Sequence, residues 1–253
     1  MTIYIFCLAE TALLDYDIRS KRVPCDILCG LATDSAGECN LKILNNNKYI
    51  AIGHLMKYKF SRVYQFRITL EGIRPPVLRR MQVPETYTFW DLHVAIQDVM
   101  EWSDCHLHQF RIIDPRISAK VDIGIPEDEE GDYYEILPGW KQKIADYFSP
   151  YNKTADYIYD FGNNWEHSIL LERILPREKG IVYPLCIEGK RACPPEDIGG
   201  TGGYEEFLEI IMDPWHKRYE EMLEWTGDFE PEYFDKDNVV FADPAKRFKT
   251  LKD

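Results

Sequence analysis

Residues 64–70 alternate strictly between apolar and polar side chains, and this alternation limits what the chain can fold into. The apolar positions are Tyr64, Phe66, Ile68 and Leu70, and the polar positions between them are Gln65, Arg67 and Thr69. This pattern is typical of a strand with one face in the core and the other in solvent. After the breaks at Gly72 and Pro75-Pro76, residues 77–83 predict a second strand, plausible as its hairpin partner.

The remaining pattern mixes strands and helices. Thr88 followed by Asp91 is a capping box, so the helical apolar spacing after it predicts a helix over 89–101. The other predicted strands are 108–113, 157–160 and 168–171, the last two joined by a turn, and the other predicted helices are 141–148, 205–211 and 216–225. Without regular βαβ alternation, the pattern predicts an α+β fold, a mainly antiparallel sheet with helices packed against it.

The first 55 residues differ from the rest. They contain four of the seven cysteines and no long hydrophobic periodicity, whereas the clean strand pattern begins soon after Met56. One interpretation is a small regulatory extension. The other, which we prefer, is a poorly ordered segment or one upstream of a natural start at Met56. Residues 56–253 are expected to form a single α+β domain.

The net charge of −13 limits the classes of partner. An acidic surface repels phosphate backbones, so direct nucleic-acid binding is not expected, although Arg74, Arg79 and Arg80 could form a local basic strip. The acidic run at 127–132 is expected to be a solvated loop. No apolar run is long enough to span a membrane.

The cysteines indicate a reducing compartment. Their number is odd, no two have the C-x-x-C spacing of a zinc ribbon, and the apolar stretch at 3–9 lacks preceding basic residues and is interrupted by Glu10. We therefore expect a cytoplasmic protein without a secretory signal.

Several motifs occur in the order found in one known family. They are YQFRITL at 64–70, PPVLRR at 75–80, LHQF at 107–110, YDFG at 159–162, WEH at 165–167 and CPPED at 193–197. The chain resembles the plasmid pRiA ORF-three-like family, also named after an insertion-element passenger protein, TnpR. The likeness covers about residues 60–240. It implies an α+β domain of unestablished biochemical function that recurs on plasmids and mobile elements.

The chain departs from that family at two places and does not support a recombinase. Asn163 and Asn164 stand where family members often have an acid, and Ile198 stands where they often have a cysteine. The first change weakens a carboxylate-rich metal site at the turn. Residues 216–219 lack the Arg/His/Tyr spacing that a tyrosine recombinase needs. Ser61-Arg62 only weakly resembles the serine nucleophile among arginines that a serine recombinase needs.

Polar residues concentrate in the hairpin turn and in the Pro/Gly-rich stretch 191–203. The candidate polar site consists of His108, Asp160, Asn163, Trp165, Glu166, His167, Cys193, Glu196, Asp197 and Tyr204. If a divalent metal binds, the best candidate ligands are His108, His167 and Asp160, since histidine with a carboxylate suits a metal or a general base. No other cofactor is expected.

Purely structural roles are the alternative for several of these residues. His167 could simply hold the turn by a hydrogen bond. The acids at 196–197 could cap the following helix, and Cys193, next to prolines and acids, gains little help in ionising. We expect the hairpin turn and the 193–203 stretch to face each other and form one site.

The leading hypothesis for function is a cytoplasmic binding or interaction module, associated with mobile elements, for an unknown protein or small-molecule ligand. The alternative is a metal-assisted hydrolase that uses a His/Asp/Glu cluster. No catalytic motif is complete, so the sequence alone does not establish an enzyme.

Overall fold

A computed structural model of the chain describes residues 60–126 and 135–250 in full, and the backbone of four strands in the first 59 residues. The chain divides into two compact units, Met1–Tyr58 and Lys59–Asp253. In the first unit, β1 (Thr2–Phe6) pairs with β2 (Leu13–Asp17), and β3 (Leu41–Leu44) pairs with β4 (Lys48–Ala51), both antiparallel. The acidic run after Pro126 lies outside the described residues.

The second unit is built on an eight-stranded sheet. Its strands are β5 (Arg62–Leu70), β6 (Leu78–Pro84), β7 (His108–Asp114), β8 (Ala119–Gly124), β9 (Ile136–Pro138), β10 (Thr154–Tyr159), β11 (Trp165–Pro176) and β12 (Leu185–Lys190). The strand order is β12-β6-β5-β11-β10-β7-β8-β9, and every pairing is antiparallel except β8 with β9. The expected α+β class and the β5–β6 and β10–β11 hairpins are confirmed.

Five helices belong to the described residues. They are α1 (Phe89–Met100), α2 (Ile144–Tyr147), α3 (Gly200–Met212), α4 (Tyr219–Thr226) and α5 (Pro244–Thr250), with 3-10 turns at Gly139–Lys141 and Lys236–Asn238. The capping box of α1 is present: the Asp91 N–H donates to Thr88 Oγ1 at 3.2 Å, and the Thr88 N–H donates to Asp91 Oδ2 at 2.8 Å. These bonds satisfy N–H groups that the first helical turn leaves without partners.

The core lies between one face of the sheet and α1. The apolar positions of β5 are buried, as the sequence alternation predicts, but Gln65 between them is buried as well. In β11, alternate residues from Trp165 to Leu171 are buried. Phe89 of α1 packs against Phe110 of β7 with ring centroids 5.1 Å apart. On its other side α1 is covered by α5, where the Trp90 Nε1–H donates to Pro244 O at 3.0 Å.

Arg79 is part of the core and does not form a basic strip. Its side chain is fully buried, and its guanidinium donates to the carbonyl oxygens of Val99 at 2.7 Å, Lys190 at 3.0 Å and Arg191 at 2.9 Å. The guanidinium also lies over the Phe234 ring, 3.6 Å from its centroid. Arg79 therefore ties together α1, β6 and the end of β12.

The rest of the expected strip is largely neutralised. Arg80 forms ion pairs with Glu172, at 2.7 Å, and with Glu188. Of the three arginines, only Arg74 is exposed and forms no ion pair with a described residue. The Arg74/Arg79/Arg80 strip proposed from the sequence is therefore wrong, because strand alternation turns Arg79 into the core.

Two helix boundaries also differ from the sequence prediction. Helix α3 begins at Gly200, before the expected start, and its N-cap is Gly199, at φ 95°, with no side-chain cap. The expected capping by Glu196 or Asp197 is therefore wrong. Helix α4 begins only at Tyr219 instead of at residue 216. Trp215, whose large aromatic side chain by itself predicts burial in the core, therefore lies in a connection and is exposed.

We predict that starting the chain at Met56 leaves a cooperatively folding domain. Because Met1–Tyr58 and Lys59–Asp253 are separate compact units, the deletion should cost less than about 1 kcal/mol, or ~2–4 °C in melting temperature for a domain of this size. Calorimetry of both chains checks this. A fall of more than about 10 °C would show that residues 1–55 support the core.

Candidate functional site

Three loops meet at one end of the sheet, where β10 ends and β7 and β11 begin, and Trp102 in one of them contacts residues at the other two. They are residues 102–107 after α1, the turn 160–164 between β10 and β11, and residues 193–199 before α3. The buried Trp102 donates its Nε1–H to Pro194 O at 2.9 Å. Its ring stacks on Tyr159 at 5.1 Å and lies 5.8 Å from the Trp165 ring. One side chain thus contacts residues at both other loops.

Close backbone packing also joins the hairpin turn to the start of α3. Gly200 has φ 69°, and a Cβ atom built there would lie 2.6 Å from Asn163 O. A side chain does not fit in that space, so glycine is needed at this position. The expected facing of the turn and the 193–203 stretch corresponds to this contact.

Asp160 organises the hairpin turn. It has φ 56°, and its Oδ1 accepts from the N–H groups of Gly162 at 3.0 Å and Asn163 at 3.2 Å. Its Oδ2 accepts from Asn163 Nδ2 at 2.6 Å. Burial opposes ionisation, but these hydrogen bonds, together with nearby His106, outweigh it and lower the pKa of the Asp160 carboxyl. Asp160 is therefore held as a carboxylate.

Glu196 joins the first and third loops. Its Oε2 accepts from the Ser103 N–H at 2.8 Å and from the Ser103 hydroxyl, and its Oε1 accepts from the Tyr159 hydroxyl at 2.7 Å. The Tyr159 hydroxyl in turn accepts from the Cys105 N–H at 3.0 Å. Burial and the bond to Glu196 raise the pKa of Tyr159, so this hydroxyl remains a donor. These bonds fix the position of the first loop.

His106, Asp160 and Asp197 form the polar centre of the three loops, which we call the His106 cluster. His106 Nε2 lies 3.1 Å from Asp197 Oδ1 and 3.7 Å from Asp160 Oδ2, and one ligand atom from each residue lies within 4.8 Å of the other two. Among the fully described residues, no other three histidine, cysteine or acidic side chains bring their ligand atoms this close together. The Asp197 side chain is 70% exposed, so the cluster is open to solvent.

A small pocket adjoins the cluster. It has a volume of about 380 Å³ and lies between the first loop, Trp90 and the end of α5. His106 lines both the pocket and the cluster, and Leu107 and Arg247 form parts of its wall. A ligand in this pocket would therefore contact His106.

The predicted metal set of His108, His167 and Asp160 does not come together, because both histidines are buried in the core. His108 stacks on His93, with ring centroids 3.4 Å apart and planes 8° from parallel. In turn, His93 contacts Tyr157 at 2.8 Å and Asp104 at 2.7 Å.

His167 lies in the core as well. Its Nδ1–H donates to Trp165 O at 3.0 Å, and its ring meets the Trp102 ring edge-on at 5.5 Å. Its Nε2 has no hydrogen-bond partner among the described residues. Burial lowers the pKa of His167 to about 4, so the ring is neutral near pH 7.

The other predicted site residues are divided between the core and the surface. Trp165 is buried against Trp102, and the exposed Glu166 accepts from Asn164 Nδ2 at 2.9 Å, on the face opposite His167. Cys193 is buried with its Sγ 3.7 Å from Met100 Sδ, and burial raises the pKa of its thiol, which argues against a nucleophile.

Tyr204 belongs to the core under α3. It is fully buried, its ring lies 6.2 Å from that of Phe207, and its hydroxyl has no hydrogen-bond partner among the described residues. Burial raises its pKa to about 12. Of the ten candidates, Asp160, Asn163, Glu196 and Asp197 lie where the three loops meet, with Asp160 buried beneath the turn.

The candidate list omits His106, Ser103 and Tyr159, which the structure brings to this place. The sequence spacing suggests that His106 and His108 share a strand face, but β7 begins only at His108. His106 therefore lies in the preceding loop and turns to the surface. The two histidines at positions 106 and 108 are the sequence feature from which His106 could have been identified.

The fold and the polar loop cluster define the second unit as an α+β domain with an eight-stranded sheet and a candidate binding site on the loops at one end of its strands. The model of the plasmid pRiA4b ORF-3-like protein family matches residues 62–238, and the chain belongs to this family. The chain is 39% identical over 173 residues to the uncharacterized protein y4hQ of Sinorhizobium fredii, covering 66% of this chain and 82% of that protein.

A solved structure has the same fold. The crystal structure of MM3350, a protein of unknown function from Methanosarcina mazei, is similar with a TM-score of 0.68 and 48% identity, covering 72% of this chain and 99% of that one. None of these names assigns a reaction. Among the described residues, we find no helix with the length and apolarity needed to cross a membrane.

We predict that His167 makes the protein less stable as the pH falls from about 6.5 towards 4. The unfolded histidine, with its ordinary pKa of 6.5, takes up a proton in this range, whereas burial keeps the folded one neutral. The free energy of unfolding should therefore fall by up to about 1.4 kcal/mol per pH unit from this residue.

Urea unfolding of wild type and His167→Leu at pH 7.5, 6.5 and 5.5 measures this contribution. The variant should show a shallower loss between pH 6.5 and 5.5. His216→Gln, in the connection before α4, is the matched control and should keep the wild-type dependence. Equal pH dependence in wild type and His167→Leu would contradict the prediction.

Proposed function

We propose that the protein is a binding module whose recognition site is the His106 cluster, and that this cluster binds a divalent cation. The observation that supports the proposal is the approach of one imidazole and two carboxylates from three different loops. Histidine nitrogen and carboxylate oxygen are common ligands of Zn²⁺ and of other divalent transition metals. The cation would then bind a polar or anionic group of the ligand.

The spacing of the three side chains suits one cation. Ligand atoms bound to one Zn²⁺ at about 2.0–2.2 Å lie roughly 3–4 Å apart. His106 Nε2 is 3.1 Å from the Asp197 oxygen and 3.7 Å from the Asp160 oxygen. Binding needs the lone pair of Nε2, so the imidazole of His106 would carry its proton on Nδ1 when a cation is bound. Three protein ligands leave coordination positions open to a water or a ligand atom.

The backbone at both aspartates supports a functional role. Asp160 has φ 56° and Asp197 has φ 63°, in the left-handed region. For residues other than glycine this conformation costs about 1–3 kcal/mol, and such residues are found preferentially at binding and active sites. Each of these aspartates has a carboxylate oxygen within 3.7 Å of His106 Nε2.

The second candidate function is a metal-assisted hydrolase, and the pocket beside His106 favours it. A cation with open positions lowers the pKa of a bound water and makes it a nucleophile near neutral pH. A substrate in the 380 Å³ pocket would lie next to that water. Binding without turnover separates the leading proposal from this one.

The remaining expectations are part of the proposal. A protein or small-molecule ligand fits the open cluster better than duplex DNA, since Arg79 is buried and Arg80 is paired. The free thiols of Cys105, Cys186 and Cys193 support a cytoplasmic location. The family is named after a protein encoded on a plasmid, which supports an association with mobile elements.

We predict that Zn²⁺ or Mn²⁺ binds to the purified protein and raises its melting temperature. At a free concentration 100 times the Kd, mass action stabilises the folded state by about 2.7 kcal/mol. Titration calorimetry gives the Kd. His106→Ala and Asp197→Asn should each weaken binding by at least about tenfold.

The matched control is Glu166→Gln, which removes an exposed carboxylate of the same hairpin and should leave the Kd unchanged. Asp160 is left intact in these tests because its hydrogen bonds form the turn. If none of Zn²⁺, Mn²⁺ and Mg²⁺ raises the melting temperature, or if His106→Ala responds like wild type, the cation proposal is wrong.

A further inference from the structure

A second concave surface, separate from the His106 cluster, lies where α3 and α4 end. It is a groove of about 970 Å³ between these helices and residues 228–238, and we call it the acidic groove. Its volume suits a peptide segment or a drug-sized molecule. Nothing in the proposed cation site uses it.

The groove exposes apolar side chains. Met212 is 80% exposed and Tyr233 58% exposed, and Leu223 and Phe229 also line the groove. Exposed apolar side chains that are grouped and bordered by polar residues mark binding sites for other proteins. These side chains could receive large apolar anchors of a partner.

The charged groups that line the groove are all acidic. They are Glu101, Asp228, Glu230 and Asp235, and no lysine or arginine is among the described residues that line it. The structure gives Glu101, Asp228 and Glu230 no ion pair with any described residue. A cationic partner would therefore meet free carboxylates.

Helix ends add to this negative potential. Helix α3 ends at Met212 and α4 at Thr226, and Glu101 is the C-cap of α1; all three residues line the groove. Each helix C-terminus carries a partial negative charge and favours a nearby cation. The end of α1 already has a cation, because Arg79 donates to Val99 O. The ends of α3 and α4 and the carboxylates that line the groove therefore carry the negative potential.

We propose that the acidic groove binds a basic peptide segment of a partner protein, one in which lysines or arginines flank a large apolar residue. The apolar residue packs against Met212 and Tyr233, and the basic residues pair with Asp228 and Glu230. A second copy of this chain is a poor occupant, because each copy carries a net charge of −13.

Selection from a displayed library of random 12-residue peptides tests the proposal on the full chain. The retained peptides should be enriched in lysine or arginine and contain at least one aromatic residue or leucine. One retained peptide is then synthesised with a fluorescent label, and its Kd is measured by anisotropy.

Two double variants with the same change in net charge separate the groove from general electrostatics. Asp228→Lys with Glu230→Lys should weaken binding of the peptide by at least about tenfold, because it places like charges opposite the partner. Glu205→Lys with Glu209→Lys changes exposed positions of α3 outside the groove and should alter the Kd by less than about twofold. Tyr233→Ser should also weaken binding, which general charge attraction would not explain.

The proposal is wrong if the retained peptides are not basic, if none binds more tightly than about 100 µM, or if the two double variants weaken binding equally. His106→Ala should leave peptide binding unchanged. The two proposals therefore fail separately. A peptide that binds the His106→Ala variant as it binds wild type supports the groove proposal whatever the cation titration shows, and failure of peptide binding does not contradict the cation proposal.

Discussion

The contacts of Trp102 are the interaction on which the candidate site depends. The loops that carry His106, Asp160 and Asp197 belong to distant parts of the sequence, and flexible loops do not hold three polar groups within a few ångströms by themselves. Trp102 contributes a buried aromatic surface to Tyr159 and Trp165 and a hydrogen bond to Pro194 O. The polar cluster therefore rests on an apolar support, which is how rigid scaffolds position binding residues.

A sheet with helices on one side explains why so many polar side chains are buried. Only one face of the sheet packs against α1, so a strand residue that faces inward must be accommodated whatever its chemistry. Arg79 of β6 is satisfied by carbonyl oxygens, and His93, which faces the sheet from α1, is satisfied by Tyr157 and Asp104. Burial lowers the pKa of His93 and His108 well below the ordinary value, so both are neutral in the core. These side chains form part of the core packing, and because they are buried they are not accessible to a ligand.

Local patterns in the sequence predict the fold well and the site only in part. Alternation and the capping box predict β5 and α1 because both depend on neighbouring residues. The position of Asp160 and Asp197 in turn-rich segments also follows from composition. The sequence does not show that His106, and not His108, belongs to the site. That depends on where β7 begins relative to the loop that starts at Trp102. The burial of Arg79 depends on carbonyl acceptors from distant segments.

The end of α1 connects the two surfaces along the chain. Glu101 is its C-cap, at φ 62°, and lines the acidic groove, whereas the next residue, Trp102, supports the His106 cluster. A ligand that ordered either surface would act on this short segment, and any coupling between the two would have to be reciprocal. The two proposals share this electrostatic basis: the His106 cluster presents two carboxylates and the acidic groove four, so each would favour a positively charged ligand. The short segment at the end of α1 is where the supports of the two surfaces adjoin along the chain.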